Sequence, residues 1–262
     1  MLKQIDLSKM SSTQRKEAVH EATILARMNS AYIVKYHDSF TEKNNINIVM
    51  EYCENGDLGL YLKRQMGKSL PEQTIWRFFL EMCLGIQYLH ANKILHRDIK
   101  TINMFLTKEN KIKIGDLGVA KMLNQTANFA HTVVGTPYYL SPELCEEKPY
   151  NHKSDVWSLG CVLYELCTLK HPFESNNQGA LILKIVRGKY NPISSQYSKD
   201  LSAMIDSCLC KDYKKRPSIQ DILDRQVIQE KAQYFCYPLS RQVPNALDMR
   251  PQQPAQQRAA AP

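Results

Sequence analysis

The sequence predicts an α+β fold in which a small β-rich part at the N-terminus precedes a larger, mainly helical part. Two β-rich runs, Tyr32 to Tyr36 and Ile46 to Glu51, lie early in the chain. After the turn residues Asn55-Gly56-Asp57, helical periodicity dominates. We therefore predict that the first part spans residues 1–54 and that the second spans residues 55–232.

Length, composition and charge favour a globular protein without a membrane anchor. The chain has 262 residues, of which 44% are hydrophobic, and this is enough to bury a sizeable core. No apolar run reaches the ~20 residues that span a bilayer, and the N-terminus lacks a signal peptide pattern, so we expect a cytoplasmic protein. The net charge is +8, but the lysines are dispersed, so we do not expect nucleic-acid binding.

The β-rich part contains a helix, a hairpin and one conspicuous acid. Apolar residues recur at helical spacing between Ser12 and Met28, and Glu21 lies on the same stripe. A carboxylate in that position needs a partner. The polar stretch Thr41 to Asn45 separates the two strands and predicts a hairpin connection.

The second part is predicted to consist of helices and short strands, followed by a disordered tail. A long helix starts near Glu72, with Ser69 as its expected cap. Short apolar runs between residues 93 and 118 indicate brief strands with loops at their ends, where chemistry concentrates. Further helices are predicted around Ser154 to Thr168, Gly179 to Arg187 and Ser198 to Ile228, and residues 233–262 are low in complexity.

The segment from His96 to Asn103 reads His-Arg-Asp-Ile-Lys-Thr-Ile-Asn and resembles the catalytic loop of protein kinases. The resemblance implies that Asp98 orients the substrate hydroxyl and that Asn103 binds a magnesium ion. Lys100 would place a positive charge near the transferred phosphoryl group, and a lysine there is typical of serine/threonine kinases. The fold implied is the two-lobed kinase fold, with ATP and Mg²⁺ as cofactors and a protein substrate.

Further motifs follow in the order that this family requires. Asp116-Leu117-Gly118 resembles the magnesium-binding motif, and Gly135 to Glu143 resembles the end of an activation segment. The resemblance implies that Thr136 contacts the catalytic aspartate and that phosphorylation of Thr132 would provide a charge for Arg97 to pair with. An ordinary exposed threonine at position 132 is the alternative.

Two buried acids are expected to support the catalytic loop. The resemblance implies that Glu143 pairs with Arg216 and that Asp155 anchors the backbone of the loop. A buried acid demands hydrogen bonds or a counter-charge, which gives both assignments a physical reason.

The ATP site is assigned by position along the chain. The resemblance implies that the Glu51 carbonyl and the Cys53 amide hydrogen-bond adenine, that Met50 gates the pocket behind it, and that Phe105 packs under the base. Lys3 precedes Glu21 by 18 residues, which fits the kinase ion pair whose lysine grips the α and β phosphates. The alternative for Lys3 alone is a solvated charge.

Within the kinases, Met50 to Leu58, Asp116-Leu117-Gly118 and Val134 to Glu143 are most similar to the NIMA-related (Nek) family. Members of this family are commonly associated with cell-cycle control, centrosomes, microtubules and cilia.

One departure from the family pattern concerns the residues that cover the phosphates. The family has a Gly-rich loop and two strands ahead of the lysine that corresponds to Lys3, and no GxGxxG occurs in this sequence. We therefore expect an incomplete small lobe with weakened ATP binding, beside a complete large lobe. The sequence is either part of a longer active kinase or a short form that acts as a binding scaffold or a competitor of a Nek-type kinase. The intact catalytic set favours the first.

Overall fold

The computed structural model describes residues 1–8, 10–116, 121–122, 137–240 and 243, with backbone only for residues 13–14, 17–22 and 121–122. Within these residues the chain is α+β, as predicted: a small antiparallel sheet with one helix is followed by a larger helical assembly.

The small lobe is a sheet with the strand order β1-β3-β2, packed against one helix. Its elements are β1 (Leu2–Asp6), α1 (Ser12–Arg27), β2 (Tyr36–Glu42) and β3 (Asn45–Met50). The central strand β3 is the most buried, and Ile46, Ile48 and Met50 contribute to the core. Leu25 and Met28 of the helical segment join the same core, so an apolar helix stripe covers one face of the sheet.

The hairpin turn lies inside the predicted stretch Thr41 to Asn45, and only the first strand lies further along the chain than predicted. The first strand starts at Tyr36, where the predicted run ends, and the turn is formed by Lys43 and Asn44 with φ angles of 51° and 63°. Two central residues with positive φ are typical of a tight hairpin turn. The first strand alone differs from the prediction, because β2 is an edge strand with mostly exposed side chains and therefore lacks a clear alternation of burial.

The large lobe contains most of the helices, together with short strands that flank the predicted catalytic residues. The helices are α2 (Leu58–Lys63), α3 (Glu72–Ala91), α4 (Pro142–Cys145), α5 (His152–Thr168), α6 (Gln178–Arg187), α7 (Lys199–Cys208), α8 (Ile219–Leu223) and α9 (Gln226–Tyr234). The strands are β4 (Ile94–Leu95), β5 (Met104–Leu106), β6 (Ile112–Ile114) and β7 (Lys121–Met122), paired as β4 with β7 and β5 with β6.

The core of the large lobe is built on α3 and α5, which are buried along most of their length. Helix α5 approaches α7 closely at Gly160, where a Cβ atom would lie 2.6 Å from Cys208 Cβ. The predicted Ser69 cap of α3 is wrong, because Pro71 occupies the N-cap position and no side chain caps the helix. None of the helices described here is long and apolar enough to cross a membrane.

Packing against the large lobe continues beyond residue 232, into the segment that the sequence predicts to be a disordered tail. Helix α9 ends at Tyr234, and Phe235, Tyr237 and Leu239 pack against the hydrophobic core. The domain boundaries themselves stay predictions.

Candidate active site

The catalytic loop brings three of the predicted residues together around one carboxylate. The loop lies between β4 and β5 and ends in a single 3-10 turn, Thr101–Asn103. Lys100 Nζ lies 2.8 Å from Asp98 Oδ2. The Asn103 amide nitrogen donates to the same oxygen at 2.9 Å and to the Asp98 carbonyl at 2.8 Å. The Asp98 carboxylate is therefore held in place through its Oδ2 atom, which contacts both the Lys100 ammonium and the Asn103 amide.

The buried imidazole of His96 joins the loop to the segment that carries Asp116. The Asp98 N–H donates to His96 Nδ1 at 3.2 Å, and His96 Nε2 donates to the Gly115 carbonyl at 3.1 Å. These two partners require the tautomer with its proton on Nε2. The Gly115 N–H in turn donates to the Asn103 carbonyl at 3.0 Å. Two hydrogen bonds to Gly115, one to its carbonyl and one from its N–H, thus connect the catalytic loop to the end of β6.

Asp116 follows β6 and is paired with Lys3. Lys3 Nζ lies 2.7 Å from Asp116 Oδ1, and Asp116 has a φ of 52°. The predicted partner of Lys3, Glu21, belongs to α1, but its side chain lies outside the described residues. The Lys3–Glu21 ion pair therefore stays a prediction.

Asn103 and Asp116 offer oxygen atoms that suit a magnesium ion. Because Asn103 Nδ2 is committed to Asp98, its amide oxygen is left for a cation, and no described residue donates a hydrogen bond to it. A carboxylate and a carboxamide oxygen are hard ligands of the kind that Mg²⁺ prefers. In the described part of the chain no three His, Cys, Asp or Glu residues form a metal cage. The residues fit an ion that takes its remaining ligands from nucleotide phosphates and water.

The predicted adenine-binding segment follows β3 directly. Met50 is buried in the core, and the Glu51 side chain pairs with Lys113 Nζ at 2.9 Å. Within the described residues, the Glu51 carbonyl accepts no backbone hydrogen bond, and the Cys53 N–H donates none. Burial, together with the nearby Glu51 carboxylate, raises the pKa of the Cys53 thiol to about 11, so it stays protonated at neutral pH.

Phe105 is half-buried on β5, next to Gly115. A Cβ atom added at Gly115 would lie 2.6 Å from Phe105 Cε2 and 3.0 Å from Val34 Cγ2. The absence of a side chain at Gly115 therefore leaves room for the Phe105 ring beside the end of β6.

Asp155 anchors the backbone of the catalytic loop. It is fully buried in α5 and accepts hydrogen bonds from the N–H groups of His96 at 3.1 Å and Arg97 at 3.0 Å. His90 Nε2 at 2.8 Å and the Tyr150 hydroxyl also donate to it. Burial alone would raise the pKa of Asp155, but the hydrogen bond and charge of His90, together with His96 and the Tyr150 hydrogen bond, lower that pKa.

Arg97 lies beside this anchor with its guanidinium 5.5 Å from the centre of the Tyr150 ring. Its φ of 68° is in the left-handed region, and its backbone N–H is held by Asp155. The predicted phosphate partner Thr132, together with Thr136, Leu117 and Gly118, lies outside the described residues.

Glu143 and Arg216 form a bidentate buried ion pair. The two nitrogen–oxygen distances are 2.8 and 3.0 Å, and Ser154 Oγ donates to the same carboxylate at 2.7 Å. Burial opposes ionisation, but Arg216 and Ser154 together lower the pKa of Glu143. Arg216 also donates to the Cys210 and Lys153 carbonyls. The pair joins the start of α4 to the segment between α7 and α8.

One network near the catalytic loop was missed by sequence reasoning. Thr101 Oγ1 lies 3.1 Å from the Tyr139 hydroxyl, which donates to Glu165 Oε2 at 2.6 Å. Burial raises the pKa of Glu165 to about 7, against hydrogen bonds from Tyr139 and Thr101 that lower it. The ring of His171 stacks on Tyr138 at 4.1 Å, with Nδ1 3.6 Å from Glu165 Oε2. The only sequence signal is an acid inside the apolar run of α5.

Most of the chain is similar to a known protein family and to several known proteins. The protein kinase domain family matches residues 1–228. Serine/threonine-protein kinase Nek1 of Mus musculus is 46% identical over 238 residues, which cover 91% of this chain and 20% of that protein. Serine/threonine-protein kinase Nek5 of Mus musculus is 47% identical over 234 residues, covering 88% of this chain and 37% of that protein.

Serine/threonine-protein kinase Nek3 of Mus musculus is 47% identical over 225 residues, covering 86% of this chain and 43% of that protein. The chain therefore spans between 20% and 43% of the length of these three relatives.

Proposed function

Because the chain belongs to the protein kinase domain family and its kinase segment is of the Nek type, we propose that it transfers the γ-phosphoryl group of ATP to serine or threonine hydroxyls of proteins. The observation that carries this proposal is the convergence of Lys100 and Asn103 on Asp98, with the Asp116 segment tied to them through His96. Lys100 and Asn103 each lie within hydrogen-bonding distance of Asp98, and groups of these types support phosphoryl transfer.

Each residue has a role that follows from its position. Asp98 accepts the hydrogen bond of the substrate hydroxyl and orients its oxygen toward the phosphorus. Lys100 lies 2.8 Å from Asp98 and stabilises negative charge on the transferred group. Asn103 and Asp116 would hold magnesium through oxygen atoms, and Lys3 would contact the nucleotide phosphates. Magnesium bound there would neutralise charge on the β and γ phosphates.

The adenine assignments form the rest of the proposal. The Glu51 carbonyl and the Cys53 N–H would form hydrogen bonds with the adenine base. Met50 would line the pocket behind the base, and Phe105 would pack under it. Glu21 would support Lys3, Thr132 and Thr136 would regulate the site, and Arg97, Glu143, Asp155 and Arg216 would support it. We further propose that the chain itself is located in the cytoplasm.

Phosphate transfer by the full chain tests the proposal. The chain is incubated with labelled ATP, Mg²⁺ and a library of serine- and threonine-containing peptides. Transfer to hydroxyl groups is expected, together with its loss in Asp98→Asn and Asp116→Asn. Asp200→Asn, at an exposed position in the first turn of α7, is the matched control and should retain full transfer.

If no transfer is observed, thermal unfolding in the presence of Mg²⁺ and ATP shows whether the chain still binds nucleotide. If the folded chain transfers no phosphate above the Asp98→Asn level, the kinase proposal is wrong. Stabilisation by nucleotide without transfer would then favour the binding scaffold over the enzyme.

A further inference from the structure

Strand β6 leads directly to Asp116, and its outer edge is held by two acceptors. The Ile112 N–H donates to Glu81 Oε2 at 2.7 Å, and the Ile114 N–H donates to the Tyr32 carbonyl at 2.8 Å. Glu81 lies on α3 of the large lobe, whereas Tyr32 precedes β2 in the small lobe. The strand that positions Asp116 is therefore fixed from both lobes.

A single side chain contacts both of these acceptor residues. The Tyr237 hydroxyl donates to Glu81 Oε1, and the Tyr237 ring meets the Tyr32 ring edge-on, with 6.2 Å between their centres and 73° between their planes. Tyr237 lies after α9, beyond residue 228, where the match to the kinase family ends. The kinase family match therefore does not include this contact.

Tyr237 belongs to a segment that is itself attached to the large lobe. We call residues 235–240 the C-terminal strap. The Tyr237 N–H donates to the Ala232 carbonyl at 2.8 Å, and Gln87 Nε2 of α3 donates to the Ser240 carbonyl at 3.0 Å. Phe235 and Leu239 pack against the core. The strap thus runs along α3 with polar and apolar contacts.

Glu81 depends on this strap for part of its hydrogen bonding. It is almost fully buried in the apolar helix α3, and its only ion pair among the described residues is with Arg77 at 3.2 Å. Burial raises the pKa of Glu81, and hydrogen bonds from Tyr237 and Ile112 act against that rise. A buried carboxylate that loses one of its donors becomes less favourable and less firmly placed.

We propose that Tyr237 is a positioning residue for Asp116, because the C-terminal strap holds both acceptors of β6 and so sets the position of the metal-binding end of that strand. The inference rests on the proposed function only for the role of Asp116.

Hydrogen exchange in the full chain tests the proposal without requiring activity. Tyr237→Phe keeps the ring on Tyr32 and removes the donor to Glu81. The Ile112 amide should exchange about tenfold faster or more, as expected for the loss of a hydrogen bond to a charged group. The larger change Tyr237→Leu should accelerate the Ile114 amide as well. Tyr234→Phe, at a position 68% exposed, is the matched control and should leave both amides unchanged.

The affinity for Mg²⁺ and ATP separates positioning from a merely structural role. Tyr237→Phe should weaken binding severalfold, whereas Tyr234→Phe should not. Unchanged exchange at Ile112 in a folded Tyr237→Phe chain would overturn the proposal, and so would faster exchange with unchanged nucleotide affinity. If the unaltered chain binds no nucleotide, the proposed function fails, and the exchange rates still decide whether the strap holds β6.

Discussion

The ammonium nitrogen of Lys3 lies 2.7 Å from Asp116 Oδ1, so a cation already contacts the carboxylate that the proposed mechanism assigns to magnesium. The two side chains are 30% and 44% exposed, and a partly solvated ion pair of this kind contributes little to folding stability. Lys3 and Asp116 can therefore separate at small cost when nucleotide and metal bind.

Replacing Lys3 with methionine should change nucleotide and metal binding in opposite directions. ATP affinity should fall by about tenfold or more, because a charged hydrogen bond to phosphate is lost. Binding of Mn²⁺ without nucleotide should tighten, because Asp116 loses a competing cation. Calorimetry measures both affinities. Lys199→Met at an exposed position of α7 is the control. A decrease in the affinities for both ATP and Mn²⁺ in Lys3→Met would contradict the expectation.

Glu165 should make folding stability depend on pH near neutrality. Its pKa of about 7 lies above the usual 4.5, so the folded chain holds this proton more tightly than the unfolded chain. Its contribution is complete below pH 4.5 and is lost as the pH rises through about 7. The full difference is on the order of 3 kcal/mol, since one pKa unit corresponds to about 1.4 kcal/mol.

Denaturant unfolding of Glu165→Gln between pH 5 and 8 checks this dependence. The variant should lose the decline of stability with rising pH. Because burial lowers the pKa of His171, its contribution has the opposite sign and increases as the pH rises. Glu230→Gln, on the exposed side of α9, should keep the original curve. A decline in Glu165→Gln as steep as in the unaltered chain would show that another group is responsible.

Breaking the buried Glu143–Arg216 pair should destabilise the large lobe strongly. Arg216→Met leaves a buried carboxylate without its counter-charge, which typically costs about 3–5 kcal/mol. The double variant Glu143→Gln with Arg216→Met should lose less than the sum of the two single variants, because neither charge is then left alone. Thermal and denaturant unfolding measure the cycle. Lys148→Met removes an exposed ion pair and should not change the midpoint.

Alanine at position 115 should damage both packing and nucleotide binding. Its Cβ would lie 2.6 Å from the Phe105 ring, and overpacking of this kind costs about 1–3 kcal/mol. The displaced ring should also weaken ATP affinity. Gly179→Ala in α6 is the matched control, because its Cβ would lie at an ordinary contact distance of 3.6 Å from Asn177 Oδ1. Equal stability of the two variants would mean that the Phe105 ring shifts without cost.

The catalytic loop could be predicted because its chemistry is local in sequence. Asp98, Lys100 and Asn103 lie within six consecutive residues, and their side chains converge as the motif implies. The structure contains the Glu143–Arg216 contact although the residues are 73 positions apart, and it could be predicted because both residues belong to recognisable motifs. Periodicity also predicted α1, α5 and α6 to within two residues.

Contacts without a motif could not be predicted in this way. Glu81 lies in an apolar helix, which signals that a buried acid needs donors, but nothing in the sequence assigns that role to Tyr237, 156 residues later. The position of strand β2 could not be predicted for a different reason. The side chains of this edge strand do not alternate in burial. The role of His96 as a bridge to Gly115 also depends on tertiary structure.

The spacing of the buried acids also has a consequence for synthesis. Glu143 leaves the ribosome 73 residues before Arg216, and Glu81 leaves it 156 residues before Tyr237. Domains fold while the chain is being synthesised, so a nascent chain that ends before residue 216 contains both carboxylates but neither of these long-range partners. The Glu143–Arg216 pair can form only when residue 216 has emerged, and the Glu81–Tyr237 hydrogen bond can form only when residue 237 has emerged.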